Sequence, residues 1–327
     1  MACKEISKRV WITWENQRRN KTLSRVLEAK LFQFDLKVNR FVRYPIVLFK
    51  TFYTFITKRP KKIFVQNPSI ILALFAVNYG RVLNIPIIVD AHNAGVYPFD
   101  GSKEWANRIT AYLFRFATFT IVTNDALAEY VKSKGGRPVV LPDPIPEFSH
   151  QPSKKDLKGK FNVLFVCSWA DDEPYIEVIK AANLLDKTIC IYITGNSKGK
   201  EKEFGSKLPE NVILTGYIGE EDFVSMLYSC DVVIDLTTRE NCLVCGAYEA
   251  VTMGKPLIIS DTKALREYFS IGALYTNNMH RDIADKINTA VVEKERMERE
   301  IKILKAKLIS EWYNKKKIFE QLLQGAV

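Results

Sequence analysis

Short apolar runs alternate along the chain with longer stretches that have helical spacing. A short apolar run bounded by turn residues is typical of a buried strand, and strands that alternate with helices predict a parallel sheet. The strands predicted in the first half are RVWITW, LFQFDLK, KIFVQNP, PIIVDAH, FTIVTN and RPVVLPD.

A proline-rich and charged segment without periodicity, PDPIPEFSHQPSKKDLKGK, interrupts this pattern and indicates a linker. The pattern restarts after it with the strands FNVLFVCSW, TICIYITGN, NVILTGY, DVVIDLTT and KPLIISD. The sequence therefore predicts an α/β protein with two Rossmann-like domains that face a cleft, and ligands beyond the carboxyl ends of the strands. The predicted divisions are an N-terminal domain (1–148), a linker (149–160), a C-terminal domain (161–310) and a final helix (311–327) that can cross back to the N-terminal domain.

The positive charge is concentrated at the start of the chain. Residues 1–62 contain 16 Lys and Arg against 4 Asp and Glu, a balance of +12, and the remainder has 32 against 33. Such an excess favours an anionic partner: nucleic acid, acidic lipid headgroups or an anionic substrate.

One predicted helix in this basic region, Ile46–Lys58, is amphipathic. Its apolar half consists of Leu48, Phe49, Phe52, Tyr53, Phe55 and Ile56. That half either packs against the sheet of its own domain or lies on a membrane surface. The surrounding positive charge favours the membrane.

The composition predicts a cytoplasmic protein. The start of the chain lacks the apolar core of a signal peptide, and no apolar run approaches the roughly 20 residues of a membrane span. Free, mostly buried thiols are expected at all six cysteines: Cys3, Cys167, Cys190, Cys230, Cys242 and Cys245.

The segment ENCLVCGAYEAVTMGKPLIISD, from Glu240 to Asp261, contains the candidate chemistry. A helix that starts near Cys242 after a strand offers free N–H groups and a positive dipole end to a phosphate. Glu249 lies seven residues further on, about 10 Å along the axis, where a carboxylate can accept hydrogen bonds from two vicinal hydroxyls of a ribose. Alternatively, Glu249 is a solvated helix residue. The C-x-x-C within the segment lacks a second ligand pair, so packing is favoured over metal or redox chemistry.

The same segment resembles the nucleotide-sugar site of GT-B glycosyltransferases, above all family 4, which typically carry EGFGLPLLEAMAxGxPVIASD. The second glutamate of that motif matches Glu249, and the first falls on Asn241, beside Glu240. YITGN and NVILTGYIGEEDFVSMLYSCDVVI are also similar to family segments. The resemblance implies a nucleotide-sugar donor in the C-terminal domain and an acceptor in the N-terminal domain.

Two further segments resemble a narrower group. VDAHNAG and CSWADDEP are similar to inverting mannosyl- and glucuronosyltransferases that act on polyprenyl-diphosphate-linked sugars. In an inverting enzyme a carboxylate deprotonates the acceptor hydroxyl; Asp90 is the first candidate and Asp100 the second. In a retaining enzyme His92 contacts the donor sugar. Inversion is favoured. Asp90 and His92 are thus the catalytic candidates, with a strand-end cap and a loop histidine as the alternatives.

The resemblance also implies a set of binding residues. The donor-binding candidates are Ser168, Gly195, Tyr217, Thr238, Arg239, Glu240, Asn241, Cys242 and Glu249. The acceptor-binding candidates are Asn93, Arg18 and Arg19. No cofactor or metal is expected.

The predicted function is transfer of a sugar from a nucleotide sugar, UDP rather than GDP, to a lipid-linked or polysaccharide-precursor acceptor. The expected partners are the nucleotide sugar, a polyprenyl-diphosphate-linked or other glycan acceptor, and an anionic membrane, with no nucleic acid. The protein is expected at the inner face of the membrane as a peripheral protein. The alternatives are a nucleotide-sugar epimerase of the same fold and a basic nucleic-acid-binding protein.

Overall fold

The computed structural model describes residues 8–149, 151–200, 203 and 208–326, and it divides into two compact units. The first unit comprises the described residues of Met1–Pro144 and Trp312–Val327, and the second comprises Ile145–Glu311. None of the helices in the described part of the chain combines the length and the apolar character needed to cross a bilayer.

The first unit contains a six-stranded parallel sheet in the order β2-β1-β3-β4-β5-β6. The strands are β1 (Arg9–Thr13), β2 (Lys30–Gln33), β3 (Lys62–Gln66), β4 (Ile87–Asp90), β5 (Phe119–Val122) and β6 (Pro138–Val140). The helices are α1 (Arg18–Val26), α2 (Arg40–Lys58), α3 (Ile70–Leu83), α4 (Asn93–Val96), α5 (Glu104–Phe116) and α6 (Asp125–Ser133), with a 3₁₀ turn at Pro98–Gly101.

Both faces of this sheet are covered, which explains why its strands are almost continuously apolar. One face packs on α2 and α3 through residues such as Val47 and Phe55. The other face packs on the end of the last helix, where Trp312 Nε1 donates to Pro142 O at 2.9 Å. The Arg9 guanidinium also holds Glu320, with Nη2 and Oε2 2.7 Å apart.

Helix α2 does not pack most of its predicted apolar half against the sheet, which was one of the two alternatives for that half. Of the predicted apolar half, only Phe55 is buried, whereas Thr51 and Thr54 face the core. The threonine hydroxyls are satisfied there: Thr51 Oγ1 donates to Val47 O at 2.7 Å and accepts from Trp14 Nε1 at 3.1 Å. Burial of these side chains therefore leaves no unpaired hydroxyl, and the aromatic side chains remain outside.

The second unit contains a second parallel sheet in the order β12-β11-β10-β7-β8-β9. Its strands are β7 (Phe161–Phe165), β8 (Ile189–Thr194), β9 (Val212–Gly216), β10 (Val232–Asp235), β11 (Leu257–Ser260) and β12 (Ala273–Thr276). Its helices are α7 (Tyr175–Ala182), α8 (Glu220–Ser229), α9 (Cys245–Met253) and α10 (Lys263–Tyr268), followed by α11 (His280–Gly325), which continues into the first unit. The predicted α/β class with two Rossmann-like sheets is confirmed.

The start of α11 is fixed by a glutamate on α7. Glu177 Oε2 accepts from the backbone N–H of His280 at 3.0 Å and lies 2.7 Å from Nδ1 of its ring, while Oε1 accepts from Lys180 at 2.7 Å. Burial raises the pKa of this carboxyl, but the hydrogen bonds from Lys180 and His280 outweigh it and lower the pKa to about 2.

Glu177→Gln is expected to destabilise the protein at pH 7 by about 2 kcal/mol, because a carboxylate with a depressed pKa contributes stability above its unfolded pKa. That contribution is lost as the pH falls from 4.5 through about 2, so the difference between variant and wild type should disappear there. Urea unfolding across this range measures it. The exposed Glu221→Gln serves as the control, and a constant difference between variant and wild type down to pH 2 would contradict the assignment.

Candidate functional site

The chain order of the second sheet reverses between β7 and β10, and the loops that follow these two strands meet at this point. The Thr237 hydroxyl donates to Asp172 Oδ2 at 2.8 Å, and the Thr238 N–H donates to Asp172 O at 2.8 Å. Ligands of doubly wound sheets bind at such a reversal, beyond the carboxyl ends of the strands. Asp172 therefore joins the two loops that form the candidate site of this unit.

Glu173 organises the loop after β7. Its Oε2 accepts from the N–H groups of Ser168 at 2.9 Å and Ala170 at 3.0 Å, and its Oε1 accepts from the Ser168 hydroxyl at 2.9 Å. The predicted donor ligand Ser168 is exposed at the edge of the sheet, in an orientation that this carboxylate holds.

Gly195, another predicted donor ligand, lies where the loop after β8 crosses the loop after β7. Its φ is +86°, and a Cβ added there would be 2.3 Å from Cys167 O. Trp169 Nε1 donates to Thr194 O at 2.9 Å across the same crossing. A glycine is required by both its backbone conformation and the close approach.

Gly195→Ala is expected to destabilise the second unit by about 3 kcal/mol, since the new methyl group overlaps a backbone oxygen in a left-handed conformation. Gly216→Ala is the matched control: its φ is also positive, at +68°, but nothing lies within 4 Å of the added Cβ. It should cost only about 1 kcal/mol. If both variants lose the same free energy of unfolding in urea, the close approach to Cys167 O is not the reason for a glycine at position 195.

The loop after β10 presents most of the other predicted donor ligands. Thr238, Arg239 and Glu240 are exposed, and Asn241 and Cys242 are half-buried. Helix α9 begins at Cys245, three residues later than predicted near Cys242, because Val244 is still extended with φ −87° and ψ 139°. Cys242 therefore belongs to the loop.

Glu249 lies in the middle of α9, as predicted, and its side chain is half-buried. It follows the first helical residue, Cys245, by four positions, which is about 6 Å along the axis. The separation between the helix start and this carboxylate is thus shorter than the 10 Å estimated from Cys242.

A second carboxyl group, that of Asp235, lies near Glu249 and was not predicted from the sequence. Asp235 ends β10 and is buried, and a Cβ on Gly246 would come within 2.7 Å of its Oδ2. Burial raises the pKa of Asp235 well above its usual value, and the charges of Glu173 and Glu249 raise it further against the opposing N–H groups of Gly246 and Ala247. An acidic residue that ends an otherwise apolar strand, as in DVVID, was the available signal.

The five cysteines that the structure describes all lie in the second unit. Among the described residues, no three His, Cys, Asp or Glu side chains are grouped so that they could hold a metal ion. Burial raises the pKa of the Cys167, Cys190 and Cys230 thiols. None of the described cysteines forms a disulfide bond, and Cys3 lies outside the described residues.

Tyr217 immediately follows β9, at the same carboxyl edge as the loops described above. Its side chain is 85% exposed, and Gly216 before it has a positive φ. An aromatic ring left in solvent at a sheet edge is free to contact a ligand.

In the first unit, Asp90 and Arg19 form a buried ion pair. Arg19 donates from Nη2 to Asp90 Oδ1 at 2.7 Å and from Nε to Oδ2 at 3.0 Å, and its Nη1 lies 3.0 Å from Asp143 Oδ1. Burial lowers the pKa of Arg19, but Asp143 and Asp90 outweigh burial and raise it.

This pair bears on two sequence-based roles. Asp90 is 0% exposed and both of its oxygens accept from Arg19, so no acceptor hydroxyl reaches it as it stands. Arg19 is likewise committed to carboxylates and to Leu141 O, and is not free to bind the phosphates of an acceptor. The ion pair joins α1, through Arg19, to the last residue of β4, Asp90. Neighbouring Arg18 is exposed, and so is Asp100 in the 3₁₀ turn.

His92 and Asn93 lie directly after Asp90, where α4 begins, and both are half-buried. The Nδ1 atom of His92 is buried and has no hydrogen-bond partner among the described residues. Burial lowers the pKa of His92, and nearby Arg19 lowers it too, against the opposing charge of Asp90. The ring is therefore neutral at physiological pH, so one of its nitrogens can accept a hydrogen bond.

The comparisons with known proteins agree with this arrangement. Residues 147–306, which are 160 of the 327, match the family described as Glycosyl transferases group 1. HepE from Anabaena, solved in complex with UDP-glucose, is 15% identical, with a TM-score of 0.69 over 98% of this chain and 93% of its own. The chain has the GT-B glycosyltransferase fold. The matched segment contains the loops after β7 and β10, and it contains Glu249.

Two other proteins of known structure share the GT-B fold with this chain. Sucrose-phosphate synthase from Thermosynechococcus elongatus is 15% identical, with a TM-score of 0.67 over 91% of this chain and 84% of its own. A protein assigned as a UDP-N-acetylglucosamine 2-epimerase from Listeria monocytogenes is 12% identical, with a TM-score of 0.54 over 87% and 80%. Comparison with curated protein sequences found no match.

Proposed function

We propose that this protein transfers a sugar from a nucleoside diphosphate sugar to an anionic, lipid-linked or polysaccharide-precursor acceptor. The observation that carries the proposal is the carboxyl edge of the second sheet. An open loop of polar residues there precedes α9, and Glu249 stands one turn inside that helix, all within the segment that matches Glycosyl transferases group 1.

On the donor side, the diphosphate lies against Ser168, Gly195 and the Thr238–Cys242 loop, in which Thr238, Arg239 and Glu240 are exposed. Glu249 accepts hydrogen bonds from the two ribose hydroxyls. The base meets the exposed Tyr217 and the backbone beside it. UDP is the favoured nucleotide, supported by the complex of HepE with UDP-glucose.

On the acceptor side, the first unit supplies Asn93, His92 and the exposed Arg18. The reaction we favour inverts the anomeric centre. The acceptor oxygen bonds to the anomeric carbon while the bond between that carbon and the diphosphate oxygen breaks, and the nucleoside diphosphate leaves. The proton of the acceptor hydroxyl passes to a base. Because Asp90 is occupied by Arg19, the exposed Asp100 is the carboxylate candidate for that base. No metal ion is required in this scheme, and the protein works in the cytoplasm at the inner face of the membrane.

Ligand-dependent thermal unfolding tests the donor assignment. UDP at about 100 times its dissociation constant should stabilise the fold by about 2.7 kcal/mol, which raises Tm by about 5–10 °C for a unit of this size. GDP and an oligonucleotide are the comparisons. Stabilisation by the oligonucleotide alone would replace the proposal with the basic nucleic-acid-binding alternative.

The similarity to the Listeria monocytogenes protein keeps epimerisation as a second candidate, on fold alone. The products separate the two reactions. A transferase releases UDP and adds one sugar mass to the acceptor, whereas an epimerase returns a nucleotide sugar of unchanged mass. Mass spectrometry of a reaction with UDP-glucose and membrane extract detects the transfer, and NMR of the recovered nucleotide sugar detects an epimer.

A further inference from the structure

Helix α2 presents an unbroken apolar surface to solvent. Its large exposed hydrophobic side chains include Phe41, which is 75% exposed, Phe49 at 69% and Tyr53 at 61%. At 100° per residue, the exposed apolar positions fill one arc of about 140° that contains no charged residue. We call this arc the α2 face; it consists of Phe41, Val42, Pro45, Ile46, Phe49, Phe52, Tyr53 and Ile56.

Helix α2 cannot rotate to bury the α2 face in the core. The opposite side of the helix is anchored by Thr51, which accepts from Trp14 Nε1 at 3.1 Å, and by Phe55, whose ring stacks on Phe75 with centroids 6.0 Å apart. Phe52 meets Phe75 and Tyr79 edge-on at the border of the α2 face. A contiguous exposed apolar surface on an anchored helix indicates a binding surface for a membrane or for another molecule.

The charges around the α2 face indicate which contact it makes. From Lys37 to Lys62 the sequence contains eight Lys and Arg and no Asp or Glu. The exposed cations stand at both ends of α2 and on one flank, and within the described part of the chain none of them has a carboxylate partner. They are Lys37, Arg40, Lys50, Lys58, Arg59 and Lys61.

We propose that the α2 face docks on an anionic lipid bilayer. The helix lies in the plane of the interface, its aromatic side chains enter the headgroup and acyl boundary, and the cations at its ends meet acidic headgroups. A bilayer suits this surface better than a folded protein, because the Tyr53 hydroxyl is the one polar side-chain group among the eight residues of the α2 face, whereas cations stand around it.

The position of α2 connects docking to the proposed reaction and deepens that proposal. Arg43, in the first turns of α2, donates from Nη2 to Trp14 O at 2.5 Å, and Trp14 directly follows β1. The start of the helix thus lies at the carboxyl edge of the first sheet, where His92 and Asn93 also lie. A bilayer on the α2 face would bring a lipid-linked acceptor to this edge.

Vesicle binding of the full chain, measured without any sugar donor, tests docking separately from glycosyl transfer. The protein should sediment with vesicles of phosphatidylcholine and phosphatidylglycerol, far less with phosphatidylcholine alone, and less as salt is raised. Phe41→Ser/Phe49→Ser should weaken binding to the anionic vesicles at least about tenfold. Lys50→Gln/Lys58→Gln should weaken it about fivefold for each lysine.

The matched control is Val292→Ser/Ile303→Ser, because these side chains are equally exposed on α11, at 85% and 61%. It should bind as wild type does. Unchanged circular dichroism and Tm establish that each variant is folded. Two results would each overturn the proposal: no sedimentation with anionic vesicles, or undiminished binding of the double phenylalanine variant.

Discussion

Glu249→Gln is expected to lower the rate of sugar transfer at limiting donor by at least about 100-fold. A carboxylate that accepts from two ribose hydroxyls makes two charge-assisted hydrogen bonds, each worth about 1.5–3 kcal/mol, and the neutral amide keeps only part of this. A loss of about 2.7 kcal/mol corresponds to that 100-fold. The variant should fold normally, since Glu249 is half-buried and glutamine is an equally good helix former.

The affinity for UDP shows which part of the donor Glu249 holds. If the carboxylate binds the ribose, the affinities of the variant for UDP and for UDP-glucose should fall by the same factor in calorimetric titration. If it binds the transferred sugar, only UDP-glucose should weaken. Glu267→Gln, an exposed glutamate on α10 of the same unit, is the control and should bind both ligands as wild type does. Unreduced UDP affinity of Glu249→Gln would remove the central contact of the proposed function.

The sheets could be predicted from sequence because their strands are buried on both faces, which leaves uninterrupted apolar runs such as FNVLFV between turn residues. β12 (Ala273–Thr276), which is four residues long and half-buried along most of its length, was not predicted. The start of α9 was placed three residues early, since Cys242, Leu243 and Val244 fit an apolar helix and an extended loop equally well.

The faces of α2 could not be predicted from periodicity. Periodicity separates the threonines from the aromatic side chains but leaves open which half of the helix faces the core. Thr51 and Thr54 can face it because they satisfy their hydroxyls on carbonyls of their own helix. A threonine that bonds backward in this way packs as a small apolar residue. The outward position of the aromatic side chains is therefore a property of the tertiary contacts with Trp14 and α3.

In the candidate site, too, the contacts that could be predicted are those between residues close together in the sequence. Glu249 was found because it stands in a contiguous motif, and the residues around it follow within one loop and one helix. Arg19 and Asp90 are 71 residues apart in the sequence, and no local sequence pattern predicts their pairing. Asp90 therefore resembled a catalytic base in the sequence, whereas the structure gives it a partner that occupies both of its oxygens.

Asp90→Asn is expected to destabilise the first unit by about 3 kcal/mol or more, because removal of one member of a buried ion pair leaves the other charge uncompensated. Urea unfolding at pH 7 measures this loss. Asp143→Asn should cost less, about 1 kcal/mol, since Asp143 is a third exposed and Arg19 keeps its two bonds to Asp90. UDP affinity should stay unchanged in the folded protein for both variants, because the proposed nucleotide ligands all lie in the second unit.

The two roles of Asp90 make opposite predictions for these variants. A general base predicts that Asp90→Asn abolishes transfer at unchanged stability. The ion pair instead predicts that stability falls and that the fraction still folded retains measurable turnover. Arg19→Leu/Asp90→Leu extends the test, since replacement of both charges by apolar groups of similar size recovers much of the stability lost in the single variant. If the double variant regains stability but has lost all transfer, Asp90 or Arg19 takes part in the reaction. If it regains stability and still turns over, the pair only positions the sheet edge at which His92 and Asn93 lie.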